Sequence, residues 1–246
     1  MLKFYSSRAI LFAASLMCGS VASAQTTPED KFRSMLEKIL KDNPEIVVDA
    51  MKRAEAKSSL TQQDKAQKAA RALLQRAVAS RDYLPRLGFE NAPLIVLETL
   101  DYNCSHCRAM HGRIKDLLAK RSDIQIVVLP TPILGESSRR LALFALAAEY
   151  QGKFARIHDL LFERDAKLFP DDNELKRLSA IAGVDWQTAR ADMESGSAKQ
   201  GLEKFGQDWE SLGEPGTPFF ATMSRTFAGE VDVTELSNAV TAATVR

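Results

Sequence analysis

The sequence predicts an α/β domain over residues 86–246, almost wholly helical at about 136–212 and preceded by a helical extension at 25–85. Three observations predict it. The continuous apolar run Leu94-Ile95-Val96-Leu97, just after Pro93, reads as a buried strand. A second run, Ile124 to Leu129, is closed by Pro130 and Pro132. Between them, Arg108 to Lys120 puts Met110, Ile114, Leu117 and Leu118 on one helical face.

The elements follow in chain order. Residues 1–24 read as an export signal: Lys3 and Arg8 open it, an apolar stretch runs from Ala9 to Met17, and Ala22-Ser23-Ala24 offers small residues for cleavage near Ala24. Cys18 follows Met17 rather than a small residue, which argues against a lipoprotein leader. The apolar stretch is too short to span a bilayer, so no membrane insertion is expected. In a Gram-negative cell the mature protein would be periplasmic.

In the 25–85 region Thr27 is a helix cap and Pro28 the first helical residue, with acids in the first turn. Phe32, Met35, Leu36, Ile39 and Leu40 form one apolar stripe. Asn43-Pro44 interrupts it. A short second helix carries Val47, Ala50, Met51 and Ala54, after which Ser58-Ser59 is expected to loosen the chain. Thr61 to Arg81 has high helix propensity but little apolar mass, so it is either a spacer or a helix in need of a partner surface. The stripe at 32–40 needs cover too. Self-association would supply it, and docking on the main domain is the alternative.

Residues 136–212 read as successive helices. Gly216 to Met223 reads as a strand, Ser224-Arg225 as a turn, Phe227 as a short returning strand, and Val233 to Val245 as the last helix.

Apolar residues at 45% and charged residues at 26% are those of an ordinary globular protein, able to form a core without metals or staples. Loss of Lys3 and Arg8 with the leader moves the formal net charge from +1 to −1. A near-neutral chain gives no reason to expect nucleic-acid binding.

Three cysteines fall to two on cleavage, and these are Cys104 and Cys107 in the run Asp101-Tyr102-Asn103-Cys104-Ser105-His106-Cys107. An exported chain whose remaining cysteines form a C-x-x-C uses them for chemistry more often than for stapling. The order strand, C-x-x-C turn, helix, strand is the front half of a thioredoxin-like α/β unit. Cys104 falls at the helix N-terminus, where unpaired N–H groups and the macrodipole stabilise an anionic sulfur. Cys107, one helical turn on, is close enough to form a disulfide with it and to resolve a mixed disulfide. His106, between them, is placed to donate a hydrogen bond or positive charge to the Cys104 thiolate, which would make the disulfide more oxidising. It can instead be a plain solvent-facing residue. The rival class is metal binding, since Cys104, Cys107 and His111 together suit Cu(I) or Zn(II). His111 and His158 are otherwise expected on helix surfaces. No cofactor and no dedicated metal site are expected.

Four segments, in order, resemble the DsbA-like thiol:disulfide interchange proteins: Val96 to Cys107; Pro132-Ile133-Leu134-Gly135-Glu136-Ser137-Ser138; Gln151-Gly152-Lys153-Phe154 with His158 and Leu160-Leu161-Phe162; and Gly216-Thr217-Pro218-Phe219. The resemblance implies a thioredoxin-like fold with an inserted helical subdomain, and a cis-proline at Pro218 beside the disulfide. The backbone there would be left to pair with an extended substrate. Thr217 is similar to the residue found in isomerase-type and ScsC-type members. Glu98 resembles the buried acid beneath the active site, which relays the Cys107 proton; a surface acid on an edge strand is the other possibility. Phe32 to Met51 resembles the N-terminal extension of the ScsC-like branch, which is linked to copper tolerance and in which the extension drives oligomerisation. Ser105 and Thr99-Leu100 depart from the residues usual there. The expectation is therefore a disulfide-exchange enzyme, isomerase more than oxidase, acting on unfolded or misoxidised exported proteins with an unidentified redox partner, and a homo-oligomer that the resemblance makes a trimer. A copper-sequestering protein using the same thiols is the alternative.

Overall fold

The computed structural model describes residues 27–80, 84–165 and 169–242; the expected signal segment at 1–24, Cys18 included, lies outside them. The chain divides into two compact units, 1–54 and 55–246.

In the first unit α1 spans Pro28–Asp42. Thr27 caps it reciprocally: its hydroxyl accepts from the Asp30 N–H at 3.2 Å, and its own N–H donates to the Asp30 carboxylate at 3.0 Å. Asn43 ends the helix with its side-chain amide on the Ile39 carbonyl at 2.9 Å. No residue of α1 is buried, and the stripe is open from Leu40 at 36% to Phe32 at 61% exposure.

The division falls inside α2, which runs as one helix from Glu45 to Ala79. One sequence expectation is corrected here. Ser58-Ser59 does not break the helix, because serine costs only a few tenths of a kcal/mol against alanine and no Gly or Pro adjoins it. The C-terminal part of the same helix packs within the second unit. Ala66, Ala70, Leu73, Leu74 and Ala77 recur on one face and are buried in the core of the second unit. Polar bonds fix the same helix: Gln67 Nε2 donates to the Thr222 carbonyl at 3.0 Å, Arg71 Nε to that of Met223 at 3.0 Å, and Arg76 pairs with Asp208 at 2.7 Å. The weakly apolar stripe thus finds its partner surface.

The second unit is built on a five-stranded sheet of order β1-β3-β2-β4-β5. The strands are β1 (Arg86–Gly88), β2 (Leu94–Leu100), β3 (Ile124–Pro130), β4 (Phe219–Ala221) and β5 (Thr226–Ala228). β2 is central, parallel to β3 and antiparallel to β4, so Glu98 lies opposite Val128 and Phe220. Strand β1 escapes sequence reading: it has three residues and pairs antiparallel with β3. Its Gly88 has φ +95°, and a Cβ there would lie 2.8 Å from the Ile124 carbonyl, so the pairing needs glycine.

Helix α3 (Ser105–Lys120) links β2 to β3. The insertion contains α4 (Glu136–Glu149), α5 (Phe154–Glu163), α6 (Asp172–Ala182), α7 (Trp186–Ser195) and α8 (Ser197–Ser211), and α9 (Val233–Ala242) closes the unit. The placement of His111 and His158 on helix surfaces is also corrected. His158 is 2% exposed and sits with Tyr102, Phe154, Phe162 and His111 in a cluster of rings with centroids 4.7–5.6 Å apart. It lies four residues from both Phe154 and Phe162, on the apolar face of α5. Burial, and then the neighbouring His111, lowers its pKa to about 3, so the ring is neutral, and its Nδ1 shares a hydrogen bond with the Tyr102 hydroxyl at 3.2 Å.

Candidate active site

The loop leaving β2 is tied down residue by residue. Asp101 is 1% exposed, and its carboxylate accepts from the N–H of Asn103 at 2.8 Å and of Leu134 at 3.0 Å. Its carbonyl accepts from the Cys104 N–H at 3.0 Å. Asn103 donates to the Ser137 and Ser138 hydroxyls at 3.1 and 3.0 Å and accepts from Arg164 at 3.3 Å. The insertion therefore holds the residue just before Cys104 from two helices, α4 and the end of α5. A buried carboxylate satisfied by two backbone N–H groups keeps the turn in one conformation.

Cys104 is the N-cap of α3, with extended backbone angles (φ −72°, ψ 121°) and no side-chain capping bond. The N–H groups of the first turn are thus left for the sulfur. Cys104 Sγ donates to the Thr217 carbonyl at 3.4 Å. Thr217 opens a cis peptide to Pro218, and the preceding Gly216, at φ +80°, accepts at its carbonyl from the Thr99 hydroxyl at 3.1 Å. Cys104, Thr217 and Pro218, 113 and 114 residues apart in sequence, are thereby brought to one place.

Both thiols are free, and they differ in setting. Cys104 retains 7% exposure; Cys107 has none. Burial drives the Cys107 thiol far above its ordinary range, Cys104 and Glu98 push in the same direction, and a hydrogen bond with the Asp101 backbone opposes them. Glu98 is 3% exposed on the central strand, so it is not an edge-strand surface acid. Burial raises its carboxyl from 4.5 to about 8.

His106 lies in the first turn of α3 with its side chain 68% exposed. Its Nδ1 is 2.9 Å from Glu230 Oε1, and Arg113 holds the other oxygen of Glu230 at 3.0 Å. Sequence reading missed Asp101, Asn103 and Glu230. Asp101 and Asn103 stood inside the quoted motif, and a polar pair flanking a buried tyrosine is their signal; Glu230 carries none. Among the described residues no group of three or more His, Cys, Asp or Glu is placed to hold a metal ion, so Cys104, Cys107 and His111 do not converge. His111 Nε2 instead lies 3.2 Å from Asp159, without hydrogen-bond alignment. Among the described residues no helix is long and apolar enough to cross a membrane.

A family model described as the DSBA-like thioredoxin domain matches residues 95–241. The crystal structure of a thioredoxin-like oxidoreductase from Silicibacter pomeroyi DSS-3 is 28% identical, with a TM-score of 0.59, covering 67% of this chain and 94% of that one. Salmonella enterica Typhimurium BcfH shares the fold at a TM-score of 0.70 and 20% identity, over 87% of this chain and 95% of its own. Proteus mirabilis ScsC in a transitional conformation does so at 0.61 and 22%, over 87% and 96%. The Na(+)/H(+) antiporter NhaA 3 of Salinispora tropica is 28% identical over 161 residues, 63% of this chain and 24% of the antiporter. The chain spans about a quarter of the length of the curated relatives it matches.

Proposed function

Because the chain belongs to the DSBA-like thioredoxin domain family, a family of thiol–disulfide oxidoreductases, we propose that it exchanges disulfides in exported, periplasmic proteins through Cys104 and Cys107, chiefly as an isomerase. The observation that carries this reading is the pairing of a helix-capping Cys104, its sulfur 3.4 Å from the Thr217 carbonyl, with a fully buried Cys107. The outer sulfur meets substrate and the inner one waits.

In the proposed cycle the Cys104 thiolate attacks one sulfur of a substrate disulfide. That S–S bond breaks, a Cys104–substrate disulfide forms, and the other substrate sulfur leaves as a thiolate. An extended substrate segment pairs with the backbone beside Thr217 and Pro218 while this happens. A substrate thiolate that attacks the mixed disulfide completes an isomerisation and regenerates Cys104. Otherwise Cys107 attacks Cys104 Sγ, the substrate leaves reduced, and the protein is left as the Cys104–Cys107 disulfide for a redox partner to reduce. Cys107 must first lose its proton; Glu98, whose charge is felt at the Cys107 thiol, takes it in those molecules in which the Glu98 carboxyl is ionised, a fraction that grows as pH rises toward about 8.

Two features favour isomerase over oxidase: Thr217 before the proline, and an α1 stripe whose five apolar residues are exposed. Self-association through that stripe, as a trimer, would gather several Cys104 sites around one substrate, so that a released cysteine is recaptured nearby. The test is recovery of activity by a substrate with scrambled disulfides, without metal. Cys104→Ser should abolish turnover, and Cys107→Ser should accumulate mixed disulfides. Full turnover by Cys104→Ser refutes the mechanism. Stoichiometric retention of Cu(I) without turnover would favour copper sequestration through the same thiols.

A further inference from the structure

Glu230 lies in the turn between β5 and α9, far from the cysteines in sequence, yet its carboxylate meets the residue between them. His106 Nδ1 is 2.9 Å from Oε1, and Arg113 Nη2 is 3.0 Å from Oε2. A carboxylate only accepts, so Nδ1 donates, and the ring is left with Nε2 for an incoming chain.

The position of Glu230 is fixed from both sides. The preceding Gly229, at φ +77°, donates its N–H to the Pro218 carbonyl at 2.8 Å. The following Val231 is 6% exposed in the core, and Asp232 accepts from the Thr234 N–H at 2.7 Å as α9 begins. The Pro218 that anchors this turn adjoins Thr217, whose carbonyl contacts Cys104. The two ends of the β4–β5 hairpin therefore both meet the start of α3: the Thr217 carbonyl contacts the Cys104 sulfur, and the Glu230 carboxylate contacts the His106 ring. His106 with Arg113, in that order of effect, keeps the Glu230 carboxyl below its ordinary range, so it stays an anion at neutral pH.

We infer that Glu230 is a positioning residue for disulfide exchange: anchored through Gly229 to Pro218, it fixes the orientation of the His106 imidazole beside the Cys104–Cys107 pair and thereby stabilises the dithiol form. A ring held this way presents its Nε2 edge in one fixed orientation at the helix start that carries both sulfurs. An exposed pair elsewhere on the surface would contribute little; this one matters because of what its histidine adjoins. The inference rests on the proposed exchange function.

The experiment equilibrates the full-length mature protein with reduced and oxidised glutathione. The disulfide form and two glutathione thiols give the dithiol form and glutathione disulfide. Native protein, Glu230→Ala, Glu230→Gln, His106→Ala and the double variant Glu230→Ala/His106→Ala are compared. Glu230→Ala should shift the equilibrium toward the protein disulfide by roughly two- to fivefold, the range expected of an exposed ion pair. Glu230→Gln, which keeps an acceptor oxygen, should shift it less. In the His106→Ala background the Glu230 effect should vanish. No shift, a shift toward the dithiol, or an equal shift without His106 overturns the inference while leaving the exchange function standing. A native protein that does not equilibrate with glutathione at all brings down both.

Discussion

Glu98→Gln should remove a pH dependence that is written into the core. The folded carboxyl titrates at about 8 because burial disfavours its charge, against 4.5 in an open chain. Between those values the folded state holds a proton that the unfolded state has released. Stability from this group is therefore fully present below about pH 4.5 and is lost as pH rises through about 8. At about 1.36 kcal/mol per pH unit, the whole span is worth roughly 5 kcal/mol, and with 3% exposure there is little solvent screening to reduce it. Glutamine keeps the shape and does not ionise. Urea unfolding of both proteins at about pH 5 and about pH 9 should show the native sequence losing several kcal/mol more than Glu98→Gln over that interval, and the variant the more stable of the two at the alkaline end. In the proposed cycle the same substitution should slow release of substrate from Cys104, with the difference growing as pH rises toward about 8 and the native Glu98 ionises. Parallel stability curves for the two proteins would mean that the Glu98 site is wetter than its burial indicates, and the proton-relay role would fall with it.

His158 works in the opposite sense: its pKa is lowered from 6.5 to about 3, so the stability it contributes is present above about pH 6.5 and is lost as pH falls toward 3. His158→Gln, which can still hydrogen-bond Tyr102, should flatten the acid limb of the stability profile, read by denaturant unfolding at about pH 4 and about pH 7; an unchanged acid limb would refute the assignment. On α1, Phe32→Glu combined with Ile39→Glu removes two apolar side chains worth about 2 kcal/mol each when buried, roughly a thousandfold in association. Sedimentation should show an oligomer become a monomer that keeps thiol reactivity but loses isomerase relative to oxidase activity. A native mature protein that sediments as a monomer at micromolar concentration would refute self-association.

What the sequence made legible follows from the strength of local signals. β2, β3 and α3 were plain because long apolar runs and a clear helical face leave few alternatives. The Thr27 cap was plain because capping chemistry is local. The α2 stripe was ambiguous because alanine carries so little apolar area that its burial depends on what the rest of the chain offers. β1 was invisible because three residues hold no periodicity, and it exists only through its pairing with β3. His158 was misplaced because histidine was read as polar, although its spacing from Phe154 and Phe162 put it on the buried face. Within the site the cysteines and Glu98 stood in motifs. Glu230 could not be found, since its meaning comes entirely from a fold that carries it across 124 residues to His106.

The chemistry is best understood as a difference imposed on two identical side chains by one helix start. Cys104 caps α3 and lies against the Thr217 carbonyl; Cys107, one turn deeper, is sealed among apolar neighbours near Glu98. If both thiols were equally exposed, either could be attacked and the direction of resolution would be undefined. If both were buried, neither could take part in the proposed exchange with a protein substrate. The difference depends on the exact start of α3, because shifting it by one residue would turn both sulfurs by about 100° around the helix axis. That start is set by the Asp101 carboxylate and by Asn103, gripped by Ser137, Ser138 and Arg164 of the insertion. The insertion thus acts on the cysteines through Asn103, and loosening Asn103 should blur the contrast between the two sulfurs before it unfolds the protein.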